Sequence, residues 1–156
     1  MRRKDCEITD FQEMLEIIKK SDALRIGMVD EDGYAYIVPV NFGYELQGDD
    51  LKFYFHSALA GKKVGILRGS QKVSFELDTA HALQESENIH HHTYHYESVM
   101  GLATVTFVEN PAEKYRVLQL LMQNYSDKKD WELPQSLVDH IHAICLSVES
   151  WSAKRH

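Results

Sequence analysis

Hydrophobic and polar positions alternate along most of this chain, and the places where the alternation fails are as telling as where it holds. Leu24, Ile26 and Met28 fall on one face of a strand, with Arg25 and Gly27 on the other. Period-two spacing of this kind marks a half-buried strand. Asp30-Glu31-Asp32-Gly33 reads as a turn, so a hairpin is predicted with the run that follows. That run, Tyr34 to Tyr44, is nearly apolar on both faces. Gly48-Asp49-Asp50 is another turn, after which Leu51, Phe53 and Phe55 alternate with Lys52, Tyr54 and His56. Val73, Phe75 and Leu77 oppose Lys72, Ser74, Glu76 and Asp78 in a further strand. Tyr94 to Val108 is a long strand carrying Gly101, and Ala143 to Trp151 is apolar enough to return as a last one.

Helical spacing appears between these strands. Residues 9–20 read as a helix with Thr9 or Asp10 as cap and Gln12 and Glu13 placed to reach back. Phe11, Met14 or Leu15, and Ile18 form its apolar stripe. A short helix is predicted at about 60–69. Asn110-Pro111 is a strong helix start, and Tyr115, Leu118, Leu121, Met122 and Tyr125 supply that helix's buried face. Pro134 opens a short helix through Ile141, and residues 80–92, polar and rich in histidine, read as a loop. The expected order is helix, three strands, helix, two strands, helix, strand. The fold class is mainly β with peripheral helices: six antiparallel strands in a small barrel. With no repeat, linker or low-complexity tract, residues 1–156 are expected to form one domain.

Composition narrows the partners. The formal net charge of −7 argues against wrapping nucleic acid or binding an anionic membrane, both of which favour basic surfaces. The basic start, Met1-Arg2-Arg3-Lys4-Asp5, is followed by no apolar run, so no export signal is expected. No stretch approaches the roughly 20 apolar residues of a membrane span, and a cytoplasmic location follows as the expectation. Cys6 and Cys145 show no metal-type spacing and are expected to be free thiols.

Three segments carry candidate chemistry. Phe55-His56-Ser57-Ala58-Leu59-Ala60-Gly61-Lys62-Lys63 takes a strand into a helix start and delivers an imidazole, a hydroxyl and two ammoniums there. Unpaired amides at a helix start, with lysines beside them, suit a phosphate. A solvated turn with two surface lysines would read the same way. The run Tyr36 to Tyr44 contains Pro39, which lacks an N–H and should not sit in a central ladder. Its two apolar faces suggest that a partner subunit or a flat ligand covers the outer one, unless a helix does. In Tyr94-His95-Tyr96-Glu97-Ser98-Val99-Met100-Gly101, Ser98 and the backbone near Gly101 would let a ligand approach, or Gly101 marks a simple bulge. His90, His91, His92 and His95 have no regularly spaced acidic or cysteine ligand, so no metal site is expected.

In order and separation these pieces resemble the FMN-binding split barrels related to pyridoxamine 5′-phosphate oxidase, and among them the nitroimidazole-resistance (Nim) subgroup. The resemblance runs over about residues 9–125. It rests on Val38-Pro39-Val40-Asn41-Phe42-Gly43-Tyr44, then Phe55-His56-Ser57-Ala58 with Gly61-Lys62-Lys63 and Leu67-Arg68. It continues through Val73-Ser74-Phe75-Glu76-Leu77-Asp78, Tyr96-Glu97-Ser98-Val99 with Gly101, and Glu113-Lys114. It implies a six-stranded split barrel, FMN as cofactor, and a homodimer with the cofactor at the subunit interface. Val38, Pro39, Val40 and Asn41 would line the flavin ring. His56, Ser57, Lys62 and Lys63 would hold the phosphate side, and Ser98 and Val99 would complete the site. His56 would also be the catalytic residue near a small-molecule substrate, a flat electrophile of the nitroimidazole kind. Histidines and Thr93 stand where the family often has cysteines, and the oxidase's substrate-binding C-terminus is not evident in Trp151 to His156. Pyridoxamine-phosphate oxidation is therefore not implied. The alternative is a non-catalytic flavin- or haem-binding module on the same fold.

Overall fold

A computed structural model describes residues 3–128 and 131–156. The strands are β1 (Glu7–Ile8), β2 (Leu24–Val29), β3 (Ala35–Val40), β4 (Gly43–Gln47), β5 (Asp50–Ala58), β6 (Lys72–Gln84), β7 (Thr93–Val108) and β8 (Ile141–Arg155). The helices are α1 (Phe11–Lys20), α2 (Lys62–Gly69), α3 (Pro111–Tyr125) and α4 (Gln135–Asp139). All pairings are antiparallel, in the order β3-β2-β6-β7-β8-β5-β4, with β1 added to β8.

Topology closes this sheet on itself. β3 and β4 sit at opposite ends of the hydrogen-bonded order, yet only Asn41 and Phe42 join them. That link reaches about 11 Å at most, so the two edges must lie side by side. β3 and β4 share no ladder, and the barrel is split along that seam. Phe42 is fully buried, and its N–H donates to the Tyr125 hydroxyl at 3.1 Å instead of to a strand. The same hydroxyl donates to the Asp22 carbonyl at 2.9 Å. One phenol at the end of α3 thus pins the crossover to the entry of β2.

The mainly β, antiparallel split barrel is as expected, with eight strands in place of six. The apolar run Tyr34 to Tyr44 is two strands, because the chain must leave one edge and start the other at Asn41-Phe42. Two-residue β1 is too short to show a pattern. β6 runs to Gln84, well into the expected loop, through an irregular pairing between Thr79 and Ala82 where Ala80 takes a positive φ. The short helix after Pro134 ends at Asp139, and Ile141 already belongs to β8.

Phe42, Phe53 and Phe55 are fully buried inside the barrel, with Phe53 edge-on to Phe42 at 5.8 Å and tilted on Phe75 at 5.2 Å. α1 adds Met14, Leu15, Ile17 and Ile18 to this core. Asp10 caps α1 by accepting the Glu13 N–H, and Asn110 caps α3 by accepting from Ala112 and Glu113. A second apolar layer lies outside the barrel. There Val117, Leu118 and Leu121 of α3 and Val138 of α4 cover Tyr54, Ala143 and Cys145. No helix among the described residues is long and apolar enough to cross a membrane.

α2 is moored to the β2–β3 turn. Lys62 Nζ lies 2.9 Å from Asp30 Oδ2, and Asp30 Oδ1 accepts the Tyr34 N–H at 2.8 Å. The Lys62 ammonium, then the Tyr34 N–H, holds the Asp30 carboxyl below its usual range. A folded pKa below the unfolded value gives stability that is present above the unfolded pKa and lost as pH falls through the folded one. Asp30→Asn should therefore lower the melting temperature at neutral pH and flatten its decline between roughly pH 5 and 3. Parallel acid limbs for the two proteins would rule the contact out as a source of stability.

Gly101 supplies a second test. A methyl there would press into the Ser150 carbonyl and stand 2.6 Å from the Phe75 ring. Gly101→Ala should cost roughly 1–3 kcal/mol in denaturant unfolding, as overpacking of a core does. An unchanged midpoint would show that β7 and β8 part freely.

Candidate functional site

The C-terminal end of β5 and the start of α2 meet at the barrel rim. Gly61 joins them at φ +135°, a conformation that side chains rarely tolerate. Having no side chain, Gly61 cannot cap α2, and no side-chain cap bonds the first-turn N–H groups. Those N–H groups and the helix dipole favour an anion. Lys63 leans over this corner half-buried, its ammonium 5.4 Å from the centre of the Phe55 ring. Burial pulls its pKa down, and no carboxylate pairs with it among the described residues. Its neighbour Lys62 is turned the other way, onto Asp30 and 4.9 Å from the Tyr36 ring centre.

Alternation along β5 separates the next two residues. Ser57 faces inward and is buried, while His56 faces outward and is exposed. Desolvation lowers the His56 pKa first, and the Lys63 charge lowers it further. Gly43 pairs with Tyr54 and Tyr44 with Phe53. Continued two residues, that register sets Asn41 across from His56. Tyr36, Val38 and Val40 pack inward on the core, whereas Ile37 and Pro39 are exposed on the outer face. Pro39 is tolerated because β3 is an edge strand. The register thus sets Asn41 beside His56 across the split, with Val38, Pro39 and Val40 on the β3 edge, Ser57 next along β5, and Lys62 and Lys63 at the start of α2.

Ser98 and Val99 are elsewhere. His56 pairs with Ala143, which pairs with Val108 on β7. Ser98 is ten residues from Val108, about 33 Å of strand. Val99 is fully buried in the core. Ser98 is only 4% exposed, and its hydroxyl has no hydrogen-bond partner.

The rim also holds basic residues that had no role assigned from sequence, although Arg68 and Lys114 stand in the matched Leu67-Arg68 and Glu113-Lys114 pieces. Arg68 Nη2 meets His142 Nε2 at 3.3 Å, and Lys114 donates to the Ile141 carbonyl at 3.3 Å. His142 pairs with Ser57 in register. For His142, a lone basic residue in an acidic chain was the only sequence signal. What assembles them is the β5–β8 ladder between segments about 85 positions apart. No group of three or more histidine, cysteine, aspartate or glutamate side chains able to hold a metal occurs among the described residues.

A separate groove of about 820 Å³ crosses the outer face of β3, β2, β6, β7 and β8. Gly27, Ser74 and Ser150 floor it, and Ile37, Met100 and Leu102 rise beside them. None of the ten residues expected from the sequence lines it. Ile37, Met100 and Leu102 are 62%, 45% and 53% exposed, an uncovered apolar patch on a sheet face.

Residues 10–155 match a family model described as pyridoxamine 5′-phosphate oxidase. No protein with a curated description matches the chain. A candidate 5-nitroimidazole antibiotic resistance protein from Bacteroides thetaiotaomicron VPI-5482 is 28% identical, with TM-score 0.84 over 96% of this chain and 86% of that one. The flavocytochrome Anf3 from Azotobacter vinelandii shares the fold at 17% identity, with TM-score 0.81 over 100% of this chain and 72% of its own. A FAD- and haem-binding protein from Mycobacterium smegmatis does so at 12% identity, with TM-score 0.76 over 95% and 72%. With the match running nearly end to end and the split-barrel topology underneath it, the chain belongs to the pyridoxamine 5′-phosphate oxidase family.

Proposed function

We propose that this protein binds a flavin, FMN in the first place, and works as an oxidoreductase on small flat electrophiles of the nitroimidazole kind. The observation that carries the reading is the uncapped start of α2 at Gly61 with half-buried Lys63 above it, paired with no carboxylate among the described residues. The chemistry of that donor set fits a phosphate. Lys63 and the first-turn N–H groups would hold it, with the Ser57 hydroxyl alongside. Lys62 would join only by exchanging Asp30 for the ligand. Val38, Pro39, Val40 and Asn41, along the split, would border the ring. Bound flavin supplies the electron transfer. His56, exposed at the seam beside Asn41, orients the substrate and holds a proton for it.

The working unit in this proposal is a homodimer with the cofactor between subunits. Ser98 and Val99 cannot reach the rim along their own β7, so they take part only if a second copy presents them. The orphaned Ser98 hydroxyl is the kind of buried group that a ligand or partner satisfies. The apolar groove beside Ile37 is a face that a second copy would cover. Likeness to the candidate resistance protein supports the nitro-aromatic substrate class, and the flavin-binding neighbours support the cofactor.

Purified protein should be yellow, and NADH or NADPH should bleach the flavin band until a nitroimidazole restores it. Flavin that binds but accepts electrons from no donor would favour a non-catalytic module, and protein that ignores added FMN would end the proposal. Lys63→Ala should weaken FMN binding on the order of ten- to a hundredfold, from loss of charged hydrogen bonds. Unaltered affinity would move the phosphate elsewhere.

A titration checks the electrostatics without cofactor. Removing a neighbouring positive charge favours the imidazolium, so Lys63→Ala should raise the His56 midpoint followed by NMR. A midpoint that stays put or falls would separate the two groups.

A further inference from the structure

Arg68 lies in the last turn of α2, and no carboxylate pairs with it among the described residues. Its guanidinium stands 4.9 Å from the centre of the Phe107 ring, and His142 meets the same ring edge-on at 5.2 Å. Phe107 therefore fixes both groups. Arginine can only donate, so the 3.3 Å contact makes His142 Nε2 the acceptor and leaves the ring hydrogen on Nδ1. The remaining Arg68 N–H groups and the Nδ1–H meet no acceptor among the described residues. Behind them, Ser57 sits opposite His142 in the ladder.

The groups that Arg68 and His142 leave open are all donors, in a chain of net charge −7. Attraction to the helix C-terminus would explain a cation at Arg68. It would not explain a histidine turned to accept from that cation with its own N–H left open. Lys63 and Arg68 are five residues apart on α2, a rise of about 7.5 Å, which sets the two cations in the first and last turns of the helix.

We propose that Arg68 and His142 form a second oxyanion subsite on the barrel rim. Its ligand is a carboxylate or phosphate oxygen, carried by the substrate or by the distal phosphate of a longer flavin. The identity of that ligand rests on the flavin reading of the neighbouring corner, whereas the subsite itself does not.

Inorganic phosphate is the probe, followed by the His142 ring signal in NMR on the protein as purified. Phosphate should shift that signal saturably, and Arg68→Met, which keeps the stem over Phe107, should weaken the effect about tenfold or more. Arg68→Lys should fall between the two, and stands in if the methionine variant does not fold. FMN and FAD affinities are then compared for the same proteins. A loss confined to FAD assigns the distal phosphate, and unchanged affinity for both assigns the substrate's oxyanion. A His142 signal that ignores phosphate, or that responds equally in wild type and variants, overturns the subsite. So does an FMN loss in Arg68→Met as large as that in Lys63→Ala, since Arg68 would then serve the first phosphate. If no flavin binds while phosphate still moves His142 in wild type alone, the subsite stands and the flavin reading falls.

Discussion

Everything at the rim depends on how two residues, Asn41 and Phe42, carry the chain from one edge of the sheet to the other. At this crossover Phe42 gives its N–H to a tyrosine hydroxyl from α3. A buried N–H without a partner would cost about 1–3 kcal/mol, and a strand pairing at this point would shut the seam. The Tyr125 hydroxyl avoids both. It leaves β3 beside β4 without a ladder, and so leaves a rim where loop, strand end and helix start meet. The aromatic packing of Phe42 on Phe53 and Tyr125 holds that crossover in place.

The same link makes a single strand serve two surfaces. Along β3, Tyr36, Val38 and Val40 face the core while Ala35, Ile37 and Pro39 face out. A strand with water on its outer side would alternate apolar with polar. Here the outer residues are apolar too, and Ile37 borders the outer-face groove. The two-sided run in the sequence thus has a structural cause on the inner face and an uncovered apolar surface on the outer. No helix among the described residues covers it, which removes the simplest alternative for the run.

Legibility followed the range of the interactions. Caps at Asp10 and Asn110, the turn at Asp30 to Gly33 and the alternation of β2, β5 and β6 are local, and the chain displays them directly. Gly61-Lys62-Lys63 at a helix start is local too, and so was found. The break at Asn41-Phe42 was hidden because apolar residues continue through it; only a hydroxyl 83 positions away makes it a crossover. Arg68 and Lys114 lay in matched segments, but their place beside β8, like that of His142, was hidden for the same reason. Each is an ordinary basic residue until the β5–β8 ladder sets Ser57 beside His142. Conversely, Ser98 lay in a recognisable segment, but the ladder carries it away from the rim of its own chain.

Adjacent lysines show how little residue type fixes by itself. Lys62 is exposed and ion-paired, and Asp30 raises its pKa. Lys63, one position on, is half-buried with no carboxylate partner among the described residues, and desolvation lowers its pKa. A pair of like residues has become one mooring and one poised charge. Helical geometry does this, since neighbours on a helix point about 100° apart. The unpaired member is the costly one: a half-buried ammonium with no counter-ion lowers stability unless an anion relieves it. A chain of net charge −7 had carboxylates to spare for such a partner. Among the described residues none stands by Lys63, in a fold that gives Lys62 one, and that contrast is what favours the proposed site over a surface turn.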